Sequence, residues 1–144
     1  MTAWCFKHRV SIAVLAASLC LATQVQAQQR QTEQQLRAQG GRPVTAAEWR
    51  TLLVGNTLYG MHIGVGVMAT YYRDERNRIA MFQGAKRAKL WWLEGDKLCH
   101  ELIVRDGHTC YRGYWLGGTI HGCADEHKDC QYIFRHVPGN PENL

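Results

Sequence analysis

The histidines and cysteines of the second half carry the densest potential for chemistry. His108-x-Cys110 and His121-x-Cys123 repeat one spacing, and His127 and Cys130 follow closely. Nitrogen and sulfur donors of this kind build tetrahedral zinc sites, but the C-x2-C step typical of structural zinc is absent, so no metal ligands are assigned. There is no C-x-x-C-H for covalent haem attachment, and no cofactor is expected. Ser11 and Ser18 are the last serines in the chain, which rules out a Ser-His-Asp hydrolase built from anything downstream. Gly64-Val65-Gly66-Val67-Met68-Ala69 matches a dinucleotide fingerprint in letters only. The β-prone Thr70-Tyr71-Tyr72 follows where a helix would have to open, so a glycine-rich strand bend is the reading. Asp74-Glu75, Glu94 with Asp96, Asp106, and Asp125-Glu126 with Asp129 fall in turn-rich segments. They read as solvated turns rather than as a paired acid and base. No catalytic residue is assigned.

Aromatic pairs offer a different chemistry. Neighbouring residues on a strand point to opposite faces, so Trp91-Trp92 and Tyr71-Tyr72 each send one ring inward and one outward. An outward ring beside Arg73 is suited to a ligand or partner, which makes Tyr71, Tyr72, Arg73, Trp91 and Trp92 the candidate binding face.

The first 27 residues decide how the cysteines are interpreted. Lys7, His8 and Arg9 form a basic start, Val10 to Leu21 an apolar run, and Val25-Gln26-Ala27 a small-residue cleavage site. This pattern predicts a secretory signal peptide cut after Ala27, and hence a periplasmic or secreted protein. The run is shorter than the ~20 apolar residues a spanning helix needs, and no later stretch is apolar enough to cross. Leu19 before Cys20 does not fit a lipoprotein. Losing Lys7 and Arg9 lowers the formal charge from +5 to +3, a surplus too small to indicate nucleic-acid binding. Arg73, Arg76, Arg78, Lys86, Arg87 and Lys89 form the densest basic segment and read as solvated surface.

Four cysteines then remain: Cys99, Cys110, Cys123 and Cys130. An even number in an exported chain implies disulfides, with three pairings open. A two-residue turn at Asp106-Gly107 would set Cys110 opposite Ile103, so a Cys99–Cys110 bridge needs a wider loop. Cys123 and Cys130 flank the polar loop Ala124 to Asp129. The rival set joins Cys110 to Cys123 across a turn at Leu116-Gly117, leaving Cys99 for Cys130. Cys99–Cys110 with Cys123–Cys130 is preferred.

These residues need elements to position them. Residues 28–42 are glutamine-rich and almost free of large apolar residues, which predicts a flexible leader. Thr45-Ala46-Ala47-Glu48 is a capping box that opens a short helix from Ala46 to about Leu53. From Thr57 the pattern changes to β-rich segments: 57–63, 65–72, 78–82, 86–93, 97–105, 109–116, 119–123 and 131–137. Turn residues such as Glu94-Gly95-Asp96 and Gly117-Gly118 separate many of them. Six to eight strands at this rhythm predict a mainly β fold, a small antiparallel barrel or strongly curved sheet, with one short N-terminal helix over one end. The domain spans residues 43–137, and residues 138–144 are expected to form a loose tail.

Leu53-Val54-Gly55-Asn56-Thr57, Trp91 followed by Glu94-Gly95-Asp96-Lys97-Leu98-Cys99, and Cys110-Tyr111-Arg112 together carry a family likeness. This order resembles a group of short exported proteins of Gram-negative bacteria of unknown function. They combine a signal peptide, a helix ending in L-x-G-N-T, and a W…G-D-x-L-C strand pair. The resemblance covers about Thr45 to Phe134. It implies a lipocalin-like small barrel and a bridge between Cys99 and Cys110, and it brings no catalytic residues. Lys89, Asp74-Glu75-Arg76-Asn77 and the Cys123 and Cys130 pair depart from that pattern.

The functional expectation is a non-enzymatic exported binding module for a small apolar ligand, an envelope polymer or a protein. The alternatives are an inhibitor similar to the barrel-shaped lysozyme inhibitors and, third, a glycan-acting enzyme. Lysozymes are usually basic, so a net positive chain lacks the charge complementarity that an inhibitor needs.

Overall fold

Alternation of inward and outward residues from Asn56 onward produces eight strands joined by hairpins, and these close on themselves. The computed structural model describes residues 31–62 and 66–144. The expected signal segment, residues 28–30 and Ile63-Gly64-Val65 lie outside the described residues. The strands are β2 (Asn56–His62), β3 (Gly66–Tyr72), β4 (Asn77–Phe82), β5 (Ala85–Glu94), β6 (Lys97–Glu101), β7 (His108–Leu116), β8 (Thr119–Ala124) and β9 (Tyr132–Val137). Each pairs antiparallel with its neighbour in sequence, and β9 returns to β2 with Gly60 opposite Phe134. The result is a closed eight-stranded up-and-down barrel. A further strand, β1 (Arg42–Pro43), pairs with Trp115 and Tyr114 of β7. Closure leaves no long sheet edge open to pairing with other chains.

Turn chemistry fixes the register. Gly117 and Gly118 both adopt positive φ, 58° and 81°, in the two-residue connection that puts Leu116 opposite Thr119. The twist of a tight hairpin needs that backbone, and glycine adopts it without a Cβ clash.

Helix α2 (Ala46–Leu53) seals one end of the barrel. The Glu48 amide donates to Thr45 Oγ1, and the Thr45 amide donates to the Glu48 carboxylate. The Ala46 amide donates to Asp96 in the β5–β6 turn, which ties the helix start to the barrel. Trp49 and Leu53 are fully buried against Val44, Leu58, Trp91, Leu98 and Ile120. The Trp49 ring lies over Gly113, where a Cβ would sit 2.4 Å from Cζ2. Its Nε1–H donates to the Asp96 carbonyl at 3.1 Å.

The described segments on either side of the barrel domain depart from expectation. The segment expected to be a flexible leader contains a second helix, α1 (Glu33–Ala38), with a capping box between Thr32 and Gln35. Leu36 is fully buried against Tyr114, Cys123 and Cys130 on the outside of the barrel. The Tyr114 hydroxyl donates to Glu33 and accepts from Arg37, and Arg112 pairs with Glu33 at 3.3 Å. The described residues therefore hold two helices, where one was expected. The tail is not loose either. Thr57 Oγ1 donates to the Gly139 carbonyl, the Tyr59 hydroxyl to Glu142, and Lys86 to the Asn143 carbonyl.

The cysteines pair as Cys99–Cys110 and Cys123–Cys130. β6 ends at Glu101, four residues before the expected boundary at Arg105, and a loop from Leu102 to Gly107 follows. This wider connection sets Cys99 directly opposite Cys110. The second bridge closes the loop after β8, and the Cys130 amide donates to the Gln31 carbonyl. Two disulfides are what an oxidising compartment produces. No described helix is long and apolar enough to cross a membrane.

Candidate functional site

The barrel interior divides into a packed half beneath α2 and an open half beyond it. In the open half lies a cavity of about 70 Å³, walled by residues from β2, β3, β4, β6, β7 and β9. Leu58, Leu98 and Phe134 link it to the packed core, while Met68, Phe82 and Tyr132 line its sides. Gly60 and Gly122 flank the Phe134 ring, where Cβ atoms would approach it to 3.1 and 2.5 Å. The lack of side chains at these glycines gives the ring its place on the wall.

One charged side chain belongs to this apolar wall. Arg78 lines the cavity and is 1% exposed. Its Nη2 donates to His100 Nδ1 at 3.0 Å and to the Glu101 carbonyl. Its Nε and Nη1 are buried and have no acceptor among the described residues. Burial works against the Arg78 charge, and Tyr72, Tyr111 and Glu101 act in the opposite direction. A guanidinium nevertheless stays ionised in proteins. Glu101 does not bond to Arg78 through its carboxylate, which instead accepts the Leu90 amide at 2.9 Å.

The titratable rings around Arg78 are neutral. Burial, reinforced by the Arg78 charge, pushes His100 down to about 3, so its Nδ1 is an acceptor for the guanidinium at neutral pH. Burial raises the Tyr72 hydroxyl, and burial with the adjoining Tyr132 raises that of Tyr111, so both stay protonated. His62 also lines the cavity. Burial lowers its pKa, with His127 adding to the shift, and its Nδ1 has no partner among the described residues. The cavity wall thus holds one buried positive charge with three N–H bonds that lack protein acceptors among the described residues, beside aromatic rings, neutral polar groups and the Glu101 charge.

The five residues of the expected face divide between the two sides of the barrel wall. Trp91 and Tyr72 are core residues, 2% exposed each, with ring centroids 5.3 Å apart in a T-shaped contact. The Trp91 Nε1–H donates to the Asp74 carbonyl. Trp92 lies on the outer side, where it donates to Glu94 and packs beside His108. Tyr71 is half-buried, and Arg73 is exposed and paired with Asp74. Of the five, only Tyr72 reaches the cavity wall.

The His-x-Cys repeat yields no thiolate, because all four sulfurs are in bridges. The one described metal-like grouping, Glu94 with Cys99 and Cys110, depends on two of those sulfurs. Gly66 to Tyr72 form strand β3, which leaves no helix to hold a pyrophosphate there. Arg78 was missed because it sits in a run of basic residues that reads as surface. Strand parity was the available signal, since it places Arg78, Ala80 and Phe82 on one face of β4. Comparison with protein-family models, with curated proteins and with solved structures found no match.

Proposed function

We propose that this chain is an exported binding module whose barrel lumen retains a small ligand. The observation that carries the reading is the partly open cavity of about 70 Å³ inside the barrel. An eight-stranded barrel is just wide enough to be filled by side chains or to hold one small molecule, so space left inside is a feature to explain. The apolar walls supply affinity for an apolar body. Export rests on the basic-apolar-small pattern of residues 1–27 and on the two disulfides.

Native mass spectrometry of the protein taken from cells without denaturation tests this reading. The expected result is a retained small molecule, or saturable binding when short apolar ligands are added. A ligand-free protein whose mass and melting temperature respond to no such compound would refute it.

A further inference from the structure

We infer that the lumen ligand is a short-chain monocarboxylate, and that its carboxylate accepts hydrogen bonds from Arg78. The inference rests on the lumen-binding reading and names the chemical class that reading leaves open.

A buried ion is retained where its bonds are satisfied. Arg78 is 1% exposed, and its Nε and Nη1 hydrogens meet no protein acceptor among the described residues. The Glu101 carboxylate makes no bond to Arg78, and its Oε2 accepts the Leu90 amide. His100 Nδ1 and the Glu101 carbonyl occupy only Nη2. The guanidinium therefore brings to the cavity wall a positive charge and three donors without a protein acceptor among the described residues, and the Glu101 charge acts on it without a direct bond from its carboxylate. An anion with planar oxygen acceptors meets both needs through charge-assisted hydrogen bonds.

The walls select among anions. Met68, Phe82, Leu98 and Phe134 cannot solvate a second charge, and among the described residues no second lysine or arginine lines the cavity. A phosphate or sulfate, with acceptors in every direction, would leave oxygens facing carbon. A monocarboxylate turns one polar end to Arg78 and an alkyl body to those walls. Its length is limited as well. The cavity is roughly half the ~150 Å³ of an engineered cavity that accepts benzene, which leaves room for only a few carbons. His62, on the same wall, also has an Nδ1 without a partner among the described residues.

The experiment is calorimetric titration of the folded, disulfide-bonded protein with butanoate, butanamide, octanoate and inorganic phosphate in carboxylate-free buffer. Butanamide keeps the shape and removes the charge. The expected order is butanoate first, with butanamide weaker by roughly 10- to 100-fold. Phosphate and octanoate are also expected to be weaker than butanoate. In Arg78→Met, the preference for butanoate over butanamide is expected to vanish. Equal binding of butanoate and butanamide by the natural chain would overturn the inference and leave the lumen reading standing. Tighter phosphate binding would overturn the anion class, and tighter octanoate binding would overturn the chain length. Absence of binding by any of them would remove the carboxylate. If a broader set of neutral ligands also failed, the lumen reading would fall with it. The comparison within the natural chain decides the matter even if the variant does not fold.

Discussion

Replacing Arg78 with methionine should stabilise the ligand-free protein, which is the reverse of the usual result for a buried residue. The substitution removes a guanidinium that has lost its water and gained only two protein acceptors, both on Nη2. Replacing buried ionic groups with apolar side chains of similar volume is often stabilising by about 1–4 kcal/mol. The opposing cost is the loss of a donor to His100 Nδ1 and to the Glu101 carbonyl. An unsatisfied buried group costs about 1–3 kcal/mol. Here the two orphans can satisfy each other, because His100 Nδ1 already lies 3.2 Å from the Glu101 carbonyl. A shift of the imidazole to the tautomer protonated on Nδ1 makes it the donor once the arginine has gone. Glu101 keeps the Leu90 amide and partial exposure to water. The net expectation is a gain of about 1–2 kcal/mol, or a rise in melting temperature of roughly 4–8 °C on the scale of a small domain. Near-ultraviolet circular dichroism of ligand-free protein reads the transition through the buried Trp49 and Trp91. A fall of several degrees would refute the reasoning, since it would mean the charge is well solvated where it sits and Arg78 is a structural support.

Gly113→Ala should lower stability by about 1–3 kcal/mol, because its Cβ would sit 2.4 Å from Trp49 and 3.1 Å from Ile120. An unchanged urea midpoint would mean that the helix does not seal the barrel as described. Acid should destabilise the protein from near pH 6.5 downward. In that range the unfolded chain protonates His100 while the folded protein, with His100 at about 3, does not. The loss between pH 6.5 and 5 is about 2 kcal/mol, and a flat unfolding free energy over that range would contradict the burial of a neutral imidazole. Below pH 4 the Asp74 and Glu48 carboxylates, held near 2 by their hydrogen bonds, add to the loss in the same direction. Removing Cys123 and Cys130 together should cost about 2–4 kcal/mol and release α1, seen as faster hydrogen exchange at the Leu36 amide. Unchanged exchange would show that the helix holds without the bridge.

What could be read from the sequence depended on how local its cause was. The hairpin rhythm and the Thr45 capping box are written in neighbouring residues, and strands and helix α2 follow them closely. α1 illustrates the opposite case. Thr32-Glu33-Gln34-Gln35 carries a capping box, yet its one buried anchor, Leu36, gains its partners only when β7 and the Cys123–Cys130 loop fold beneath it. The cavity was hidden for a similar reason. Parity shows that Arg78 and Phe82 share a face, but only closure of the barrel determines that this face points inward. The same closure places Tyr72 and Trp91 inside and leaves Tyr71 and Trp92 outside.

An anionic ligand held by Arg78 inside the barrel must perturb its guanidinium, which side-chain nitrogen-15 NMR during a butanoate titration reads. The expected result is a saturable shift of the Arg78 Nε–H resonance, accompanied by shifts at Gly60 and Tyr132 on the cavity wall. An Arg78 signal that stays fixed while exposed basic residues such as Lys86 or Arg87 respond would contradict it.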